Sequence, residues 1–184
     1  MPFGCSSNKP SETPAANCPP GSTAPCPYAS KSNLAFKGTP EEQKQAKELV
    51  EKIRNSRPKG KAFVEALENS PKKTELSIGT SATKKDGTVV QLSNTGGGIT
   101  LRPSESASGN NEVIVDPKNL IDYTATDGTT AKETPEGLTL HELGHAKLLN
   151  DGDAAQTSGG PDAEANVRKE TNDIRSELGM KPEK

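Results

Sequence analysis

The chain contains only two histidines, His141 and His145, and both lie in the stretch LTLHELGHAKLLNDG, four residues apart with Glu142 directly after the first. On an α-helix that spacing is one turn, so both imidazoles leave the same face and can reach a single ion at about 2.0–2.1 Å. Zinc takes this geometry from two of its ligands. Glu142, rotated by about 100° around the helix from His141, falls beside the ion, where a carboxylate can take a proton from a water that the ion activates. The ordinary alternative is a surface helix with two solvated histidines. A chance match of this spacing and this glutamate is on the order of one in a thousand for this composition. Leu138, Leu148 and Leu149 extend the histidine face into an apolar stripe that turns inward.

Catalytic zinc commonly keeps three protein ligands and one open position. No third histidine exists, which points to a carboxylate, and the stretch PDAEANVRKETNDIRSELG supplies candidates. Its apolar stripe is Val167, Thr171, Ile174 and Leu178. Glu164 heads that stripe, while Glu170, Glu177 and Asp162 are rotated away from it, so Glu164 is the expected ligand and Glu170 or Asp162 the alternatives. An exposed ion pair between Glu164 and Arg168 is the ordinary use of the same residue. An oxyanion partner is also needed. Tyr123, Arg168 and Arg175 are the candidates for that or for orienting a carboxylate, and the sequence does not choose among them.

These side chains need a scaffold. Residues 1–37, rich in Pro, Ser, Ala and Thr, read as an extended tail, either an export or docking signal or a plain linker. At Thr39 an N-cap, Pro40 and Glu42 open an amphipathic helix to about Asn55, and a shorter helix ends near Ser70. TELSIGTS, TVVQLS, GITLRP and NEVIVDP are short β-branched runs separated by turn chemistry, predicting a small, mainly antiparallel sheet. Its Glu112–Val115 strand could bind an extended peptide by edge pairing, or be an ordinary packed strand. Thr134 and Pro135 open the histidine helix, predicted to end near Asn150, and a last helix runs from about Pro161 to Gly179. The fold class is α+β.

Composition narrows the partners. With 29% hydrophobic and 3% aromatic residues, 184 residues suit one small domain, and 23 basic against 25 acidic residues give a net charge of -2 without a bias toward nucleic acid or an anionic membrane. No apolar run approaches the roughly 20 residues that span a bilayer, and no classical secretory signal is visible. Cys5, Cys18 and Cys26 all lie in the tail, where one disulfide or three free thiols are equally consistent.

HELGHA, followed some twenty residues on by a Glu-Ala step, is similar to the gluzincin arrangement of thermolysin-type metallopeptidases. More closely, NEVIVDP, LTLHELGHA and EANVRKETNDIRSELG together resemble bacterial effector and toxin zincins: the NleD-type injected proteases and the metallopeptidase domains fused to Rhs and VgrG proteins. In those proteins a closing helix carries the third ligand and an Asn, Arg, Glu, Gly pattern, here Asn172, Arg175, Glu177 and Gly179. Thr171 stands where an acidic residue often precedes the Asn, and the loop NDGDAAQTSGGP is short. The resemblance covers roughly residues 60–184 and implies that the domain read over residues 38–184 is zincin-like, holds Zn2+ and cuts a protein or peptide substrate. It also implies delivery into a target cell by a specialised apparatus such as type VI secretion, with an apparatus component or an immunity protein as further partners. Two rivals stay open: a secreted structural or adaptor protein whose metal staples two helices, and an amidase of cell-wall peptide.

Overall fold

The computed structural model describes residues 32–158 and 162–184. The three cysteines and any docking role of the tail lie outside the described residues. The predicted helices form, and two of them start at the caps read from the sequence. Helix α1 (Pro40–Arg54) opens on a complete capping box: the Glu42 N–H donates to Thr39 Oγ1 at 3.3 Å, and the Thr39 N–H donates to Glu42 Oε2 at 2.7 Å. Helix α2 (Pro58–Asn69) follows, and the two bury Ala46, Val50, Ile53, Phe63, Val64 and Leu67. The histidine helix α3 (Pro135–Asp151) starts at Thr134, whose Oγ1 accepts from the Gly137 N–H at 3.1 Å, and stops at Gly152. A five-residue helix α4 (Ala154–Ser158), not foreseen in the sequence, interrupts the loop before α5 (Asp162–Glu177).

The sheet corrects the sequence reading. Strands β1 (Leu34–Phe36), β2 (Thr74–Ile78), β5 (Gly98–Leu101) and β6 (Asn111–Val115) form one four-stranded sheet in the order β1-β2-β6-β5. The β1–β2 and β2–β6 pairings are parallel and only β5–β6 is antiparallel, so this sheet is mixed and not mainly antiparallel. Among the described residues the other antiparallel pairings are two small hairpins, β3 (Ser81–Thr83) with β4 (Val89–Gln91) and β7 (Tyr123–Thr124) with β8 (Thr130–Ala131), and an isolated bridge between Ala125 and Glu183. Turn chemistry marks hairpins, whereas parallel partners are joined by long crossovers and leave no local mark. Strand β1, three residues long, lies inside the segment read as tail.

Each face of the sheet has its own cover. Leu34, Leu76, Val113 and Val115 pack against α1, α2 and α3 in the main core, together with Ile174 of α5. On the opposite face Ile99, Leu101 and Ile114 meet Ala82 of β3 and Leu92, which opens a 3-10 turn. Alternation along β5 therefore sends Ile99 and Leu101 to the hairpin and Gly98 and Thr100 to α3.

Candidate metal centre

Close packing of α3 against α5 brings the site together. A Cβ on Gly144 would stand 2.8 Å from Thr171 Cγ2 and 3.0 Å from Val167 Cγ1, and both those residues are fully buried, so the glycine in HELGH lets the helices approach. Glu164, three residues before Val167, then meets the histidines. Its Oε2 lies 3.2 Å from His141 Nε2 and its Oε1 lies 3.3 Å from His145 Nε2, with the two Nε2 atoms 3.2 Å apart. Two donors bound to one tetrahedral zinc at 2.0–2.1 Å stand about 3.3–3.4 Å from each other. The predicted group His141, His145 and Glu164 is thus assembled at a spacing that could hold a metal ion.

Hydrogen bonding on the far side of the rings decides what the Nε2 atoms offer. Gln156 Nε2 donates to the Ala163 carbonyl at 2.7 Å, which turns Oε1 of the same amide toward His145 Nδ1 at 2.8 Å. His145 Nδ1 is therefore the donor and carries the proton. Glu183 Oε2 faces His141 Nδ1 at 3.4 Å. With Nδ1 protonated on both rings, two Nε2 lone pairs and a carboxylate converge with no proton among them. Only a cation satisfies such a set, whether a metal or extra protons. Where protons fill that role, burial opposes the charge on His141, but hydrogen bonding to Glu164 and Glu183 outweighs it and raises the imidazole from 6.5 to about 10. His145 is raised too: burial again opposes, and Glu164 prevails. Glu164 is held far below the usual carboxylate range by the two imidazoles.

Glu142 sits beside this group and is buried. Thr100 Oγ1 lies 2.7 Å from its Oε2 and 2.9 Å from its main-chain carbonyl oxygen. Burial raises its pKa, against the pull of His141 and His145. A Cβ on Gly98 would stand 2.6 Å from both Cγ and Oε1 of Glu142, so only glycine fits there. The expected base is therefore walled in by Gly98 and Thr100 of β5, neither of which the sequence reading singled out. A cleft of about 330 Å³ runs from His145 and Glu164 along Ile99 to Arg102.

The remaining candidates divide. Arg175 is fully buried: its Nη2 donates to both Glu133 oxygens at 3.0 and 2.9 Å, and its guanidinium lies over the Tyr123 ring at 4.3 Å. Tyr123 spends its hydroxyl on the Lys181 carbonyl at 2.7 Å. Arg168 reaches Glu183 at 3.9 Å and forms no ion pair with Glu164. Glu170 pairs with Lys147 at 3.0 Å and Asp162 is exposed, so neither joins the metal group. Glu177 accepts from the Gly60 N–H at 3.2 Å at the start of α2. Of the two readings open for the Glu112–Val115 strand, a peptide-binding edge and an ordinary packed strand, the second holds: it is internal, flanked by β2 and β5. Its continuous apolar run fits that placement, because a strand covered on both sides need not alternate. The open edge next to the site is β5. Gln156 and Glu183 were not anticipated; a polar residue in a short loop or near a chain end gives no local signal of the histidine it serves.

Comparison with family models, with curated proteins and with solved structures returns no match. The functional reading rests on this geometry and on the motif.

Proposed function

We propose that the chain is a zinc-dependent metallopeptidase, with His141, His145 and Glu164 holding the metal and Glu142 acting as general base. The observation that carries the reading is the convergence of two imidazole nitrogens and a carboxylate at 3.2–3.3 Å beside the buried Glu142 carboxylate. When bound, a zinc ion supplies Lewis acidity to a water and to the scissile carbonyl. Glu142, held by Thr100, accepts the proton of the attacking water and passes it to the leaving amine; the environment that raises its pKa suits a group that must take and return a proton. Of the two arginine candidates, Arg168 is the one that keeps some exposure, with Glu183 at 3.9 Å. The β5 edge fits an extended peptide. Asp116 N–H donates to the Gly97 carbonyl at 2.7 Å, and antiparallel alternation from that pair directs the main-chain groups of Gly98 and Thr100 outward, along the cleft.

A staple role for the metal is less well supported. A structural zinc site is closed by its ligands, whereas here the Glu164 side chain is 51% exposed and borders the cleft. The likeness to bacterial effector zincins extends the proposal to a toxin or effector delivered into another cell. Cleavage of a cell-wall amide would use the same machinery, and toxicity compared between cytoplasmic and periplasmic expression separates the two substrates.

The decisive test pairs Glu142→Gln with His145→Ala. Glu142→Gln is expected to keep one zinc per chain and lose peptidase activity by about 10²–10⁴-fold; His145→Ala is expected to lose the zinc. Full activity in Glu142→Gln sinks the proposal.

A further inference from the structure

The structure assigns Glu183, carried on a C-terminal strap, as the positioning residue that fixes His141 for the metal. This rests on the metal-site reading above and concerns a residue that no part of the zinc motif contains. An imidazole that binds metal through Nε2 needs an acceptor on Nδ1 to fix its tautomer and ring orientation. One turn beyond Glu164 on the same face of α5 stands Arg168, which has no acceptor to offer. The acceptor that faces His141 Nδ1 is instead Glu183 Oε2, at 3.4 Å.

The strap is seated by main-chain bonds that leave this carboxylate little freedom. Asn172 grips Glu183 twice: its Nδ2 donates to the Glu183 carbonyl at 2.8 Å, and its Oδ1 accepts from the Glu183 N–H at 2.7 Å. On the other side the strap pairs with the β7–β8 hairpin. The Thr126 N–H donates to the Pro182 carbonyl and the Lys184 N–H to the Thr124 carbonyl, both at 2.9 Å. Arg168 and Arg175 each stand 3.9 Å from Glu183, one from either oxygen, and offset the loss of solvent around a side chain that is only 18% exposed. Two residues of the Asn, Arg, Glu, Gly pattern thereby gain a use that the ligand set leaves unexplained. Asn172 holds the strap, and Arg175 supports its carboxylate.

The test measures zinc affinity of the full chain by competition with a chromophoric chelator, alongside thermal unfolding of the metal-free protein. Glu183→Ala is expected to weaken zinc by about 10–100-fold, and Asn172→Ala, which unseats the strap, to move in the same direction. Glu183→Gln keeps an acceptor and is expected to stay within about threefold of the parent. A residue that served only the fold would lower the unfolding temperature and leave the affinity of the folded chain unchanged. A folded Glu183→Ala chain with the parent's affinity therefore overturns the assignment. Should that variant fail to fold, Glu183→Met, close in volume and without an acceptor, is read the same way. A parent chain that binds no zinc removes the metal reading itself, and this inference with it. A parent that binds zinc but cleaves no peptide leaves the inference standing and removes the peptidase.

Discussion

Two buried charged groups lie close together in this protein and are built on opposite logic. Around Arg175, donors and acceptors nearly match: a guanidinium faces a carboxylate through two hydrogen bonds, donates to the Gly137 carbonyl at 3.4 Å and covers an aromatic ring, with its buried Nε alone left without a partner. Around His141 and His145 they do not match. Acceptors on the outer side, Gln156 at 2.8 Å and Glu183 at 3.4 Å, face the Nδ1 atoms and leave the Nε2 atoms crowded against Glu164. A density of ionisable side chains marks neither group as functional. The direction in which their lone pairs point separates the self-sufficient pair from the group that needs a guest.

Replacing Arg175 by Ala breaks the first group most severely. It leaves Glu133 buried without its partner and is expected to destabilise the metal-free chain by about 3–5 kcal/mol, read from the denaturant midpoint. His145→Ala, measured in the same way without metal, is expected to cost less, about 1–2 kcal/mol, because it removes the contacts to Gln156 and Glu164 but leaves behind a half-exposed carboxylate that water can solvate. Equal losses in the two variants would erase the distinction. Gln156→Leu removes the acceptor behind His145 and is expected to weaken zinc about 10-fold or more while the fold persists; unchanged affinity would mean that the ring needs no such support.

The smallest effect is a pH dependence. His141 is raised from 6.5 to about 10, so its stabilisation of the metal-free chain is complete below 6.5 and is lost as pH climbs through 10. Glu164 is lowered from 4.5, so its contribution is complete above 4.5 and is lost only in strong acid. Both are in force between 4.5 and 6.5. The unfolding temperature of the metal-free parent should exceed that of Glu164→Gln most in this window, with the gap closing toward pH 10. A gap that does not change with pH would show that the three groups are not paired. Zinc affinity should run the other way and rise with pH, since the metal must displace the same protons.

What the sequence discloses here is what short-range physics controls. Thr39, Pro40 and Glu42 place α1, Thr134 and Pro135 place α3, and the stripe Val167, Thr171, Ile174 selects Glu164 over Glu170 and Asp162. These are relations within four or five residues. The mixed sheet leaves no local mark because Leu34–Phe36 finds its partner at Thr74–Leu76, across two helices, and no turn announces that pairing. The same holds at the site. Thr100 lies 42 residues from Glu142 along the chain, and Glu183 lies in a polar segment that carries no periodicity. Gly98 is the one such residue that could have been suspected. It follows two other glycines at the entrance to a strand, and a glycine inside a strand often marks a close approach by a neighbouring group.

Both imidazoles of the chain sit in one cluster with Glu164. Any signal specific to imidazole, whether a ring-carbon resonance, a nitrogen shift or a rate of alkylation, therefore comes wholly from that cluster. Intact, unlabelled protein can be titrated with acid or with candidate ions and read at single-site resolution, with no background from elsewhere in the polypeptide to subtract.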